Sequence, residues 1–403
     1  MRRVCALALL SATLWSSVGL AQDRFSMVGE IDLRWVEASG PTSYLYGGLG
    51  LLRFDSEHDG LRLGYAMLAP QFRITDILSA HVVADAYDDH DRNFVDLSEA
   101  YLEARPFPTG SIRWSAKAGA FFMPVSLENR GPGWTDVYTI TPSALNTWIG
   151  EEFRTIGTEF EARWLGANYG YLGDVALVAA VYGWNEPAGT LIAERGFGMT
   201  DRPSTLFGGL GNPPIEFYHQ VDHNPGYYAG LTWRHHDILE VRALHYDNRA
   251  DPSALTSSAA AWRTRFSTVG ARLEPSAAWT FIVQYIDGDT VVGPDASFDE
   301  QFKMNYRTAF ALTSFEWQRE RFTARFDDFQ TSQIDGFYGP PSDEVGHAWT
   351  FGWMHDLGAG WRLAAEWIRA TSRFPQRIEY DESSGLIESQ VQLAIKYRFH
   401  WGM

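Results

Sequence analysis

The chain has 403 residues, a formal net charge of −17 and one cysteine, Cys5, near its N-terminus. The acid excess excludes a nucleic-acid partner, which needs a basic face, and one thiol excludes a disulfide scaffold or a thiolate metal site. No apolar run is long enough to cross a bilayer as a helix, yet 16 Trp, 18 Tyr and 25 Phe make the chain strongly aromatic.

Read from the start, Arg2 and Arg3 precede a short apolar run, Val4 to Leu14, and Gly19 and Ala21 then form a small-x-small pair. This pattern predicts a signal peptide over 1–21, cleaved after Ala21, and a single mature domain over 22–403. Cys5 precedes the apolar run, the wrong place for a lipoprotein cysteine.

Beyond the leader, apolar and polar residues alternate with a period of two, which in a strand sends them to opposite faces. Met27, Ile31, Leu33 and Trp35 share one face, and Glu30, Asp32 and Arg34 the other. The rule recurs where Ala100, Leu102 and Ala104 oppose Glu99, Glu103 and Arg105, and where Trp114, Ala116, Ala118 and Phe122 oppose Arg113, Ser115 and Lys117. It recurs again in Phe160, Ala162 and Trp164 against Glu159, Glu161 and Arg163, in Val269, Ala271 and Leu273 against Thr268, Arg272 and Glu274, and in Trp361, Leu363, Ala365 and Trp367 against Arg362 and Glu366. At the end of the chain, Val391, Leu393, Ile395, Tyr397, Phe399, Trp401 and Met403 oppose Gln390, Gln392, Lys396, Arg398 and His400. Charges repeating along one face are costly in a packed core but natural in a water-filled lumen whose outer face meets lipid.

The pattern yields about sixteen strands, centred near Ile31, Tyr65, Val82, Tyr101, Lys117, Phe160, Leu177, Leu231, Val241, Gly270, Val283, Ala311, Ala324, Phe351, Ala365 and Leu393. Short connections (such as 235–237, 319–321 and 356–360) alternate with long ones (38–60, 123–154, 184–226, 247–261, 287–302, 330–346 and 372–387). The expectation is an all-β, transmembrane, up-and-down antiparallel β-barrel of about sixteen strands in the bacterial outer membrane, with short periplasmic turns and long outer loops.

The connection from Met123 to Arg154 carries Glu128, Arg130, Asp136, Glu151, Glu152 and Arg154, three large aromatics (Trp134, Tyr138, Trp148), and Pro124, Gly131, Pro132, Gly133 and Pro142. It is too long and too restricted for a plain loop, so it is expected to fold into the lumen as a constriction. With the adjoining wall it gives the candidate pore-lining set: Arg113, Lys117, Glu128, Arg130, Asp136, Glu151, Glu152, Arg154, Glu159, Glu161 and Arg163.

The stretch Lys117-Ala118-Gly119-Ala120-Phe121-Phe122-Met123-Pro124-Val125-Ser126-Leu127-Glu128, with Glu99-Ala100-Tyr101 before it, resembles the strand-then-loop signature of the phosphate-selective porin family. The resemblance covers about a tenth of the chain. It implies a sixteen-stranded barrel, a homotrimer, and a third loop that narrows the pore. Unlike a concentrated basic ladder, the wall and third loop here mix carboxylates with arginines, an arrangement that favours small polar solutes over apolar ones.

The expected function is passive diffusion of small polar or ionic solutes, with no cofactor and no enzymatic activity. The alternative is a selective uptake channel for phosphate, sugars or organic acids; more remote is an outer-membrane enzyme, for which no G-x-S-x-G or H-E-x-x-H motif is present. Outer-membrane lipid, lipopolysaccharide and the barrel-assembly machinery are the expected partners. His219-Gln220-Val221-Asp222-His223 has an inverted zinc-protease spacing but sits among prolines, and reads as a polar loop. Asp85, Asp88, Asp89 and Asp91 around His90 read as a solvated acidic hairpin tip.

Overall fold

The computed structural model describes residues 24–89, 94–212, 214–256, 259–293, 301–336 and 340–402. The expected leader, His90, Asp91 and Met403 lie outside them. Sixteen antiparallel strands form one closed barrel: β1 (Phe25–Ser39), β2 (Gly60–Arg73), β3 (Leu78–Ala86), β4 (Val95–Ala104), β5 (Ile112–Phe121), β6 (Thr155–Trp164), β7 (Asp174–Gly183) and β8 (Gly226–His235). The second half follows as β9 (Leu239–Asp247), β10 (Arg263–Ser276), β11 (Trp279–Val292), β12 (Phe302–Trp317), β13 (Glu320–Asp335), β14 (Val345–Gly358), β15 (Trp361–Arg373) and β16 (Gly385–Trp401). Every centre expected from the alternation falls inside its strand. Each strand pairs with its sequence neighbours, and β1 closes the ring on β16 from Met27↔Trp401 to Ser39↔Ser389. A closed ring leaves no unpaired edge, which is what a lipid environment demands.

The alternation sorts the faces. On β1, Ile31, Leu33 and Trp35 are 43, 45 and 57% exposed on the outside, whereas Asp32 and Arg34 are sealed inside. Trp114 and Phe160, Val269 and Val283, and Trp349, Phe351 and Trp367 continue this outward apolar belt on other strands. The connections sort by end as well. The turn ends of the barrel are joined by segments such as 236–238, 318–319 and 359–360, and the other end by L1 (40–59), L2 (87–94), L3 (122–154), L4 (184–225), L5 (248–262), L6 (293–301), L7 (336–344) and L8 (374–384). The start of β1 and the end of β16 lie with the short turns.

Two sequence expectations need correction. Phe122 was assigned to the lipid-facing row of β5, but β5 ends at Phe121 and Phe122 stacks on Trp134 inside the barrel, ring centroids 4.6 Å apart. The alternation ends with the strand: Phe121, on the inward parity of Arg113, Ser115 and Lys117, is buried as expected, and Phe122 already belongs to L3. The acidic tip is also not one solvated cluster: Asp85 is buried on the inner face of β3, and Asp89 turns inward onto Arg53 of L1 at 3.0 Å.

The lumen is packed. L3 and the 185–206 portion of L4 fill it, each with a helix: α1 (Ala144–Glu152), entirely buried, and α2 (Thr190–Arg195). The inner wall from β8 to β13 presents Tyr228, Tyr246, Phe266, Ile286, Tyr306 and Phe329 to them, so there the inward face is apolar rather than charged. Trp148 of α1 is the hub of this core, its ring within 4.7–6.1 Å of Phe153, Phe197, Phe266 and Tyr306.

Candidate functional site: a double-loop constriction

L3 leaves β5 and crosses to the far side of a sixteen-strand ring, where β13 stands opposite β5. Local chemistry shapes its path. Ser126 accepts from the N–H groups of Glu128 and Asn129, turning the chain. Asp136 accepts from the Tyr138 N–H at 2.8 Å. Ser143 is the N-cap of α1, accepting from the Asn146 N–H at 3.2 Å, as short hydroxyl residues at helix starts do.

The far wall receives L3 through buried side chains. Arg325 of β13 donates to Asp327 at 2.8 Å and to the Thr141 and Pro142 carbonyls at 2.8 and 2.9 Å, and it lies 3.5 and 3.7 Å from the Glu128 and Asp136 carboxylates of L3. Asp327 accepts from the Ala144 N–H at the start of α1. Glu366 of β15 accepts from the Ile140 and Thr141 N–H groups at 2.6 and 3.0 Å. Near the loop's origin, Arg242 of β9 and Gln284 of β11 hold the carbonyls of Pro124 and Val125. L3 is therefore a strap pinned at both ends.

L4 lies against L3. The Glu152 carboxylate accepts from the Gly189 and Leu191 N–H groups at 2.9 and 2.8 Å, binding the orphan donors that open α2. Glu151 pairs with Arg195 at 2.6 Å and accepts from the Thr200 hydroxyl at 2.8 Å. Burial pushes the Glu152 carboxyl up to about 7 even though these N–H donors pull it down. Burial, with the Glu128 carboxylate nearby, also raises Asp136 against the opposing pull of Arg325.

The predicted residues thus fall into three groups. Arg113, Lys117, Glu159, Glu161 and Arg163 share the inner face of β5 and β6 and are half-buried or buried, with Lys117–Glu159 at 3.4 Å and Glu161–Arg163 at 3.0 Å. Glu128, Asp136, Glu151, Glu152 and Arg154 lie within the packed lumen with sealed side chains, and so do not face open water. Arg154 lies over the Phe122 ring at 3.3 Å and donates to the Ser204 carbonyl at 2.6 Å; burial lowers its pKa. Arg130 alone of the loop's charges is exposed. The His219–His223 stretch forms no helix, and His219 pairs with Glu216 at 2.8 Å.

Sequence reasoning missed a second cluster where L1, L2 and L4 meet the wall of β16 and β1. Lys396–Asp32 (3.0 Å), Asp32–Arg34 (2.6 Å), Arg34–Asp201 (2.8 Å), Arg53–Asp201 (2.9 Å), Arg53–Asp89 (3.0 Å) and Arg202–Asp89 (3.4 Å) form one alternating row of buried charges. Burial alone would raise the Asp201 carboxyl, but Arg34 and Arg53 outweigh it and hold it far below the usual carboxylate range. The inward parity of Asp32, Arg34 and Lys396 was legible; Asp201, on an irregular loop, carried no signal.

The described lumen keeps two polar spaces on this side. A cavity of about 20 Å³, room for about one water, is lined by Tyr65, Tyr87, Trp134, Asp136, Asp201 and Lys396 among others. A recess of about 180 Å³ at the short-turn end is lined by Glu30, Asp356, Trp361, Arg362, Lys396 and Arg398. Lys396 borders both.

No known family model matches the chain, and no curated relative matches it. Among solved structures, the fold is similar to the outer membrane channel DcaP of Acinetobacter baumannii, with a TM-score of 0.55 and 12% identity over 93% of this chain and 96% of that one. It is also similar to OmpF of Salmonella typhi, with a TM-score of 0.55 and 11% identity over 94% and 98%. The anion-selective porin from Comamonas acidovorans gives 0.51 and 11% over 93% and 99%. At such identities the likeness is one of fold.

Proposed function

We propose that this chain is an outer-membrane channel that passes small polar or ionic solutes by diffusion, through a passage much narrower than its barrel. The observation that carries this reading is the pairing of a lipid-facing apolar belt with an inner wall of charges, against which two polar spaces meet at Lys396. A lumen crossed by a pinned strap admits solutes by size and charge rather than by bulk flow. The test is planar-bilayer recording of purified, heat-modifiable protein under a KCl gradient. Discrete small steps in current are expected, and repeated insertions without current would refute the reading.

The packed lumen favours a second reading, a solute-selective uptake channel for phosphate, sugars or organic acids. Saturable block of the current by one of these classes would distinguish it. The likeness of 117–128 to the phosphate-selective porins supports the third-loop architecture and a homotrimer, which native mass measurement in detergent would test. It does not extend to phosphate, because the lumen arginines Arg34, Arg53, Arg195 and Arg325 are each matched by carboxylates. The chain is read as a non-enzyme, carrying a leader removed after Ala21 and inserted by the assembly machinery among lipid and lipopolysaccharide. Turnover of phospholipid or peptide by the pure protein would overturn the non-enzyme reading.

A further inference from the structure

Asp201 holds an unusual place. With its neighbour Arg202 at the row's end, it is contributed by the part of L4 that enters the lumen beside α1, and it is the acidic one of the two. One carboxylate oxygen accepts from Arg34 of β1 at 2.8 Å and the other from Arg53 of L1 at 2.9 Å. This is how a small anion sits between two guanidinium groups, one charge-assisted bond to each. Without Asp201 the row holds four cations (Lys396, Arg34, Arg53, Arg202) and two carboxylates, Asp32 and Asp89.

Asp201 also stands where a polar track ends. Lys396 borders the recess at the short-turn mouth and the small cavity above it, and Asp201 borders that cavity too. These two spaces, which share Lys396 of β16 and are lined also by Glu30 of β1 and Tyr65 of β2, define the track, whereas the opposite side of the lumen is closed by the apolar core around Trp148. The L4 segment closing the track is held to L3 by polar contacts. The Thr147 hydroxyl donates to the Thr200 carbonyl at 3.0 Å and accepts from the Thr200 N–H at 3.2 Å, and the Ser204 N–H donates to the Gly150 carbonyl at 3.2 Å.

We propose that residues 199–204 of L4 form a charge-held latch across an off-centre passage along β16, β1 and β2, with Asp201 holding, between Arg34 and Arg53, the place a permeating anion takes when the latch moves. The inference rests on the channel reading and adds the residue that closes the channel and the charge class of the solute it favours. Water and salt entering the track weaken the two guanidinium contacts, since hydrated charges are screened where buried ones are not. The freed row then presents more positive than negative charge to the passage.

The experiment records the full-length protein in planar bilayers under a KCl gradient, comparing wild type with Asp201→Asn. The variant should show a severalfold rise in conductance and a reversal potential displaced toward the chloride equilibrium value. Because Cys5 is the chain's only cysteine, Thr147→Cys with Thr200→Cys ties L4 to L3 beside the latch. Oxidised, that pair should suppress openings, and dithiothreitol should restore them. The oxidised triple variant should lose the gain of Asp201→Asn. A heat-modifiable gel band certifies folding; if Asp201→Asn lacks it, the comparison of oxidised with reduced Thr147→Cys/Thr200→Cys decides alone. Wild-type current and reversal potential in Asp201→Asn, or equal currents before and after reduction of the cysteine pair, overturn the latch and leave the channel standing. Silence from every protein, wild type included, removes both.

Discussion

Replacing Arg325 with Met should release the constriction loop without breaking the barrel. The guanidinium is sealed between β13 and L3, where it offsets Asp327, Glu128 and Asp136 and donates to the Thr139 hydroxyl and the Thr141 and Pro142 carbonyls. Removing one partner from a buried ionic cluster costs about 3–5 kcal/mol, because the remaining charges stay buried and uncompensated. The three carboxylates keep N–H or hydroxyl donors from Ala144, Ser143, Asn146, Tyr138 and Thr139, so the lower end applies, about 3 kcal/mol. At about 1.4 kcal/mol per decade, the ratio of docked to undocked L3 should fall by roughly two orders of magnitude. The ladder of β12, β13 and β14 involves backbone groups and should survive. Arg325→Met is therefore expected to keep its heat-modifiable band and to show larger, noisier single-channel steps. Arg325→Lys should fall between the two, since it keeps the charge but loses the planar fork. A folded Arg325→Met with wild-type step size and noise would show that the cluster does not hold the strap.

Acid should tighten the plug. The Glu152 carboxyl stands at about 7 in the folded state against about 4.3 when free, so the folded form binds more protons between these values and stability falls as pH rises through that window. Conductance should accordingly drop, and the temperature of the gel shift rise, on going from about pH 8 to about pH 5; Glu152→Gln should flatten both trends, and larger steps in acid would contradict them. Gly119 has φ +132°, and an added Cβ would sit 2.4 Å from the Ala100 carbonyl oxygen; Gly119→Val should abolish the heat-modifiable band, whereas a normal yield would show that the strand can relax around the added side chain. On the lipid face, Val283→Arg should cost about 2–4 kcal/mol at mid-membrane depth and lower the gel-shift temperature. As the control, Ser115→Arg on the partly exposed inner face of β5 should cost less.

The barrel was legible because lipid imposes one rule on every strand: apolar residues outward at every second position. Where that rule acts alone, as on β1 from Glu30 to Trp35 and on β16 from Gln390 to Lys396, the sequence and the structure agree residue by residue. The boundaries blur at the long-loop end. There Arg265 and Asp289 face outward and pair across β10 and β11 at 2.7 Å, so polar residues on the outer face disguised continuing strand as loop. The reading of 287–302 as a connection was too long for this reason, β11 running on to Val292. At the long-loop end of β12 the alternation is inverted, Met304 and Tyr306 being buried against L3 and L4 while Asn305 and Arg307 are exposed, and on β11 Ile282 and Ile286 make much of the inner face apolar as well.

The site was less legible than the barrel, because its chemistry is made by residues far apart in the chain. A long loop rich in proline, glycine and tryptophan could be suspected of entering the lumen from its own composition. That Arg325 would meet Glu128, or that Asp201 would sit between Arg34 and Arg53, depends on which strands face each other across a closed ring. The charges of L3 illustrate the difference. Read from sequence, Glu151 and Glu152 were pore-lining anions; in the fold they bind a guanidinium and the free N–H groups of α2, work that only the presence of L4 creates. The same sealing moves the selectivity question away from α1, whose nine residues are all buried, and onto the wall of β16, β1 and β2, where Lys396 borders both polar spaces. A charge can steer a solute only where the solute can reach it, so the exposed and half-buried groups beside Lys396 (Arg362 and Arg398 in the recess) should govern ion preference at the short-turn mouth, with Glu151 and Glu152 acting on it only through the position of the loops.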